Sequence, residues 1–237
     1  MTVCLPPMRI WQGTPANTCA CDEILSYWKV HDTLTFLVDR GIYHRSFRTF
    51  LDPDERERAL LFKSVISQQR FVVSRTILKH ILHAILQTGT VADVLLIRRE
   101  DGRILVKDVP WMYISLTYSG TCMAITVGKR KIGSDMELVR PVAIRKIKSF
   151  PLFKDTKGWN AQELNLHFLH LWTLIEAYAK LHDSNPYPSL TWRVLPRDAN
   201  FVSYCINNSS IFSLAYGLDE GRDALFRLDS KGIGRSV

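Results

Sequence analysis

The chain has 237 residues, 46% of them hydrophobic and 23% charged, with 31 Lys and Arg against 23 Asp and Glu for a net charge of +8. This composition excludes a disordered or fibrous chain and leaves room for a real core, in one domain or two small ones. The positive balance points to anionic partners: nucleic acid, an anionic membrane surface, a polyphosphate cofactor or an acidic protein.

Residues 1–22 contain proline and cysteine without clear periodicity, and are expected to form a mobile or loosely packed arm with no assigned role. Thr33 to Val38 is predicted to be a strand from its β-branched and aromatic content. Asp52-Pro53 then opens a helical region, aspartate as cap and proline at the first helical position. A second helix is predicted over 69–86, with Ile77, Leu78, Ile81, Leu82 and Ile85 as its buried stripe and Arg70, Lys79 and His83 off it. Gly102 marks a turn. Met112, Ile114 and Leu116 alternate with Tyr113, Ser115 and Thr117 as in a half-buried strand, which Ser119-Gly120 ends. Cys122 to Val127 and Ile132 to Glu137 are further strands, expected to follow one another through hairpin-like connections. After the basic residues Arg145, Lys146 and Lys148 comes a helix with an apolar stripe of Phe168, Leu171, Trp172, Ile175 and Ala179. Closing strands are predicted at Ser203 to Ile206, Ile211 to Tyr216 and Ala224 to Leu228. No internal repeat interrupts this order, which fits an α+β architecture better than a regular βαβ repeat.

The cysteines Cys4, Cys19, Cys21, Cys122 and Cys205 are odd in number and scattered, so free thiols are expected rather than a disulfide framework. Cys19-Ala20-Cys21 lacks a matching second pair or histidine cluster for zinc. No run of 18 apolar residues and no charged-then-apolar leader occurs, so neither a membrane span nor secretion is expected, and a cytoplasmic location is the default.

Three carboxylates stand out in this basic chain. Asp135 and Glu137, two apart in a strand, emerge on one face about 7 Å apart at the Cα level. Both can reach one hard cation. Magnesium takes one or two carboxylates directly and completes its coordination with water and substrate phosphate. D-x-E is common, however, and a solvated strand face would read the same way. Glu176 and Lys180 lie four apart on the following helix, where they can be neighbours; an exposed ion pair there would be worth only about 0.3–0.5 kcal/mol.

The segments Gly133-Ser134-Asp135-Met136-Glu137 and Trp172-Thr173-Leu174-Ile175-Glu176-Ala177-Tyr178-Ala179-Lys180 resemble, in this order, the G-I-D-I-E and W-S-x-K-E-A-x-x-K signatures of phosphopantetheinyl transferases of the surfactin-synthetase type. Tyr113 to Gly120 is similar to the family's F-N-x-S-H-S-G motif, and Asp101-Gly102-Arg103 to its G-K-P turn. Leu51 to Arg56, with Arg70, Arg75 and Lys79, more loosely resembles its N-terminal basic helix region. The resemblance spans roughly residues 51–181.

It implies two similar α+β halves, 23–128 and 129–237, related by a pseudo-twofold and meeting near Gly128, with the active site in the cleft between them. It also implies transfer of 4′-phosphopantetheine from coenzyme A to a serine of an acidic acyl or peptidyl carrier protein, releasing 3′,5′-ADP. Asp135, Glu137 and Glu176 would hold Mg²⁺, with Mn²⁺ as a substitute; Glu176 and Lys180 would be catalytic; Arg70, Arg103, Thr117, Tyr118, Ser119 and Lys180 would contact coenzyme A. Arg56, Arg75 and Lys79 rank below these, since each reads equally well as a surface charge. A monomer is expected, without membrane or nucleic-acid partners.

Three positions depart from the family pattern. Tyr118 stands in place of histidine and cannot supply a positive charge near neutral pH. Ile175 replaces a lysine and fits its helix's apolar stripe, so restoring lysine there is expected to leave or raise activity. Ile104 replaces the proline after Arg103. The main alternative is therefore a catalytically weak or inactive relative that binds coenzyme A or a carrier protein; a metal-dependent nuclease or nucleic-acid binder is the third reading.

Overall fold

A computed structural model describes residues 9–11, 18–39, 45–120, 122–143, 150–151, 158–186, 195–206 and 209–218. They form a mixed α+β structure, as the order of elements predicted. In chain order the elements are β1 (Arg9–Trp11), α1 (Thr18–Val30), β2 (Thr33–Asp39), a 3₁₀ segment (Arg45–Phe50), α2 (Pro53–Leu60), α3 (Val65–Leu86), β3 (Leu96–Arg98), β4 (Ile104–Val106), β5 (Tyr113–Ser119), β6 (Cys122–Gly128), β7 (Ile132–Leu138), α4 (Ala161–His182), β8 (Ala199–Ile206) and β9 (Ser210–Gly217). The stretch expected to be an arm thus contributes a strand parallel to β2 and the first turn of α1. The strand expected over Ala224 to Leu228 lies outside the described residues.

Three sheets result: β1-β2-β6-β5, the hairpin β3-β4, and β7-β9-β8. The expected hairpin between β6 and β7 does not form. β6 is paired on both sides, by β2 and by β5, so the chain leaves that sheet after Gly128 and starts another with β7.

Helix α2 opens with a reciprocal cap, in which Asp52 Oδ1 accepts from Glu55 N at 2.8 Å and Glu55 Oε2 accepts from Asp52 N at 3.2 Å, with Pro53 in the first turn. Helix α3 is the centre of the main core: Val72, Val73, Ile77, Leu78, Ile81 and Leu82 are buried against β2 and β6 residues such as Val38, Met123 and Ile125. Burying those aliphatic side chains stabilises the fold by about 1.5–3 kcal/mol each before entropy is counted.

Two expectations about α3 are overturned. Lys79 has no exposed surface, and Arg75 is only 7% exposed, so neither is a surface charge. Lys79 Nζ meets Glu55 Oε2 at 2.7 Å and Asp52 Oδ2 at 3.2 Å, while Arg75 Nε faces Glu55 Oε1 at 3.6 Å. The capping carboxylates of α2 thus neutralise the cations of α3 inside the protein. Burial nevertheless keeps Glu55 above its ordinary range despite Lys79, whereas the cap and Lys79 bring Asp52 below its own.

Helix α4 packs on the β7-β9-β8 sheet. Its buried residues are Leu164, Leu169, Thr173, Ile175, Ala177, Ala179 and Leu181, while Phe168, Leu171 and Trp172 of the expected stripe are only half-buried. The helix is covered on two sides: Leu164 sits with Val142, Phe150 and Phe168, while Ala177 and Leu181 sit with Ala199 and Ala215. Cys21, Cys122 and Cys205 are not joined in disulfides; the side chains of Cys4 and Cys19 lie outside the described residues. Among the described residues no helix is long and apolar enough to cross a membrane.

Candidate active site

Gly133 decides how closely α4 approaches the acidic strand. A Cβ there would overlap the carbonyl oxygen of Ala177 and the backbone nitrogen of Leu181, so only glycine lets the helix lie on the strand. That approach brings Lys180 Nζ to 2.8 Å from Asp135 Oδ1 and 2.9 Å from the Ser134 carbonyl. The bonded partner of Lys180 is thus Asp135 on β7 rather than Glu176 one helical turn away. Glu176 lies half-buried in the same field. Burial, and then the negative charges of Asp135 and Glu137, raise its pKa against the opposing effect of Lys180.

Beside β7 runs β5, in a phase opposite to the one its alternation predicted. Ser115, Thr117 and Ser119 are buried, while Ile114, Leu116 and Tyr118 are half-buried. The reason is hydrogen bonding. Ser134, Met136 and Leu138 donate their backbone N–H groups to the hydroxyls of Ser115, Thr117 and Ser119 at 2.9, 3.1 and 2.8 Å. A strand edge that would otherwise be left without partners is satisfied by side chains. The same hydroxyls donate onward: Thr117 to Asp135 Oδ1 at 2.8 Å, Ser119 to Glu137 Oε2 at 3.0 Å, and Ser115 to the Ser134 carbonyl at 3.4 Å. Glu137 Oε1 also faces Arg140 at 3.7 Å.

Arg70 stacks over Tyr118, its guanidinium carbon 4.8 Å from the ring centroid. These two predicted contacts therefore lie together. Arg103 is placed differently, at the end of α4: its Nε pairs with Asp183 and its Nη2 donates to the Lys180 carbonyl at 2.6 Å and the Leu181 carbonyl at 3.4 Å. It caps the helix that carries Lys180. A cavity of about 300 Å³ opens there, lined by Gly102 and Arg103 of the β3-β4 turn, Ser115 and Leu116 of β5, and Lys180 and Asp183 of α4. Arg56 Nε bonds the Leu51 carbonyl at 2.9 Å, beside the cap of α2.

Sequence reasoning missed Ser115, Ser134 and Asp183. The regular hydroxyls of Ser115-x-Thr117-x-Ser119 were a usable signal, since two-residue spacing places them on one face. A backbone carbonyl such as that of Ser134 leaves none.

Asp135, Glu137 and Glu176 suit a hard divalent cation by donor chemistry, being all carboxylate oxygens. Among the described residues, no three Asp, Glu, His or Cys side chains are gathered closely enough to form a ready-made metal site. Asp135 is instead engaged by Lys180 and Thr117.

No protein-family model matches the chain. It is similar to three curated proteins: 4′-phosphopantetheinyl transferase psf-1 of Bacillus pumilus, 23% identical over 137 residues; 4′-phosphopantetheinyl transferase Sfp of Bacillus subtilis strain 168, 22% over 137; and 4′-phosphopantetheinyl transferase ffp of Bacillus subtilis, 21% over 179. These alignments cover 56%, 56% and 73% of this chain, and 58%, 61% and 80% of the respective relatives. The chain thus spans about six tenths of the length of the first two. All three carry the name of the family that the motifs resemble, and their low identity marks this chain as divergent from them.

Proposed function

We propose that the chain transfers 4′-phosphopantetheine from coenzyme A to a serine hydroxyl of an acyl or peptidyl carrier protein. The observation that carries the reading is the bond from Lys180 Nζ on α4 to Asp135 Oδ1 on β7 at 2.8 Å, with Glu176 one turn before Lys180 on the same helix. The similarity to three proteins named for this transfer supports it.

In the reaction the serine oxygen forms a bond to the phosphorus that bears the pantetheine arm. The bond from that phosphorus to the bridging oxygen breaks, and 3′,5′-ADP leaves with the electron pair. Such chemistry rests on positioning and charge neutralisation. Glu176, its proton affinity raised by burial and neighbouring acids, is the group to accept the serine proton. Lys180 neutralises charge on the pyrophosphate, and Arg70 with Tyr118 offers a cationic and a hydroxyl contact to coenzyme A. Arg103 can still offer its Nη1 group while capping α4. Asp135, Glu137 and Glu176 would hold Mg²⁺ or Mn²⁺, which supplies charge neutralisation at the phosphates when bound.

Two α+β halves meeting near Gly128, with the site between them, fit this reading. In support, the cavity beside Lys180 is lined by residues from both sides of Gly128. The basic balance of the chain suits an acidic carrier, and the chain would act as a cytoplasmic monomer.

A second reading, a relative that binds coenzyme A or a carrier without efficient transfer, draws on the missing cations at Tyr118 and Ile175. One experiment separates them: mass spectrometry of an apo carrier protein incubated with the chain, coenzyme A and Mg²⁺, with Glu176→Gln as control. The expected result is addition of the phosphopantetheine mass with the unaltered chain only. Tight binding without mass gain across several carriers would overturn the transferase reading.

A further inference from the structure

We infer that Thr117 and Ser119 are positioning residues for Asp135 and Glu137 and make no contact with the phosphates of coenzyme A. The inference deepens the transferase reading and rests on it for the role of the two acids.

A hydroxyl has one proton to give and two lone pairs with which to accept. Phosphate oxygens at neutral pH chiefly accept, so a hydroxyl that contacts phosphate must spend its proton there. Thr117 has spent its proton on Asp135 Oδ1, at 2.8 Å, and receives the Met136 N–H at 3.1 Å. Ser119 has spent its proton on Glu137 Oε2, at 3.0 Å, and receives the Leu138 N–H at 2.8 Å. Both are buried, at 3% and 9% exposure, which removes water as an alternative partner.

The adjacent rung of the same ladder shows that the arrangement follows from the acids. Ser115 receives the Ser134 N–H in the same way, but the strand position corresponding to Asp135 and Glu137 is Gly133, which has no side chain. Ser115 therefore donates to the Ser134 carbonyl, at a longer 3.4 Å. Where a carboxylate is present, the hydroxyl turns to it. Each bond fixes one carboxylate oxygen against the strand edge: Oδ1 of Asp135 is shared by Thr117 and Lys180, which leaves Oδ2 free of these partners. Pre-oriented oxygens cost less ordering when a cation arrives.

The test compares Thr117→Val, Ser119→Ala and the hydroxyl-retaining Thr117→Ser by calorimetry, measuring Mn²⁺ binding to the chain alone and coenzyme A binding in EDTA. Transfer to an apo carrier is followed in parallel as a function of Mg²⁺. Thr117→Val and Ser119→Ala are expected to weaken Mn²⁺ binding about tenfold, the scale of a hydrogen bond to a charged group. The Mg²⁺ concentration for half-maximal transfer should rise in step, coenzyme A affinity should change less than about twofold, and Thr117→Ser should recover most of the loss. Weaker coenzyme A binding with unchanged Mn²⁺ binding would overturn the inference, as would an original chain that binds no Mn²⁺. If Thr117→Val fails to fold by circular dichroism, Ser119→Ala at the strand end decides the matter by the same criteria. Absence of transfer by the original chain with every carrier defeats the transferase reading alone, since both binding measurements stand apart from it.

Discussion

Lys180 Nζ lies 2.8 Å from Asp135 Oδ1, joining the last turns of α4 to the middle of β7 across 45 residues of chain. Lys180 is thereby held facing the acidic strand. Replacement by methionine leaves Asp135 without its cation, and Lys180→Met is expected to lower transfer about a hundredfold, the scale of losing one electrostatic partner of a developing charge. Asp135→Ala should abolish transfer. Steady-state rates with apo carrier protein check both, and full turnover by Asp135→Ala would show that this carboxylate plays no part.

Gly133→Ala tests the approach of α4. The new methyl meets the backbone of Ala177 and Leu181, which cannot rotate away as a side chain can. A loss of at least about 1–3 kcal/mol of stability is expected in urea denaturation, together with loss of transfer, because the helix carrying Glu176 and Lys180 must move off the strand.

Lys79 is the most deeply buried cation described, and its partners are the carboxylates that cap α2. Lys79→Met leaves Glu55 charged and buried, at an expected cost of about 3–5 kcal/mol. The double variant Lys79→Met, Glu55→Gln should regain part of that loss, because the buried Glu55 charge is gone, and only part, because Arg75 then loses its carboxylate. Denaturant unfolding of the three proteins decides. Equal stability of Lys79→Met and the original chain would mean that the ion pair contributes nothing.

His80 sits edge-on to Phe50, and its Nε2 has no hydrogen-bond partner among the described residues. Burial, with a smaller contribution from His83, lowers its pKa to about 4 from 6.5. The folded protein therefore holds this ring neutral, while the unfolded chain takes up a proton near 6.5. The resulting stability is present above about pH 6.5 and is lost as pH falls towards 4, amounting to about 3 kcal/mol at most. In unfolding measurements from pH 7 to pH 4.5, His80→Leu should lose less stability than the original chain. Parallel curves would remove His80 as the cause.

Ile175→Lys carries a cost in stability that the family pattern does not show. Ile175 is 3% exposed, so lysine there would bury a charge and destabilise the chain by on the order of 3 kcal/mol. Thermal melts of the variant test this directly.

Much of the layout was legible because it is local. Asp52-Pro53 predicted the cap of α2, two-residue spacing put Asp135 and Glu137 on one strand, and the four-residue step placed Glu176 and Lys180 on one helix. What was not legible depends on partners far away in the chain. The burial of Lys79 was not legible because its neutralising acids, Asp52 and Glu55, lie at least 24 residues earlier, and no periodicity encodes a buried ion pair. The facing of β5 was reversed because serine and threonine count as polar by pattern, yet here they complete the hydrogen bonds of another strand. The capping role of Arg103 was not legible either, because the carbonyls it bonds lie 77 and 78 residues onward.

The seam between β5 and β7 has a consequence for divergence. Backbone ladders survive nearly any replacement, since every residue but proline brings the same amide. A joint made of three hydroxyls can lose a stitch with each change to alanine. Drift in this chain would register first as slack between its sheets, long before either sheet came apart.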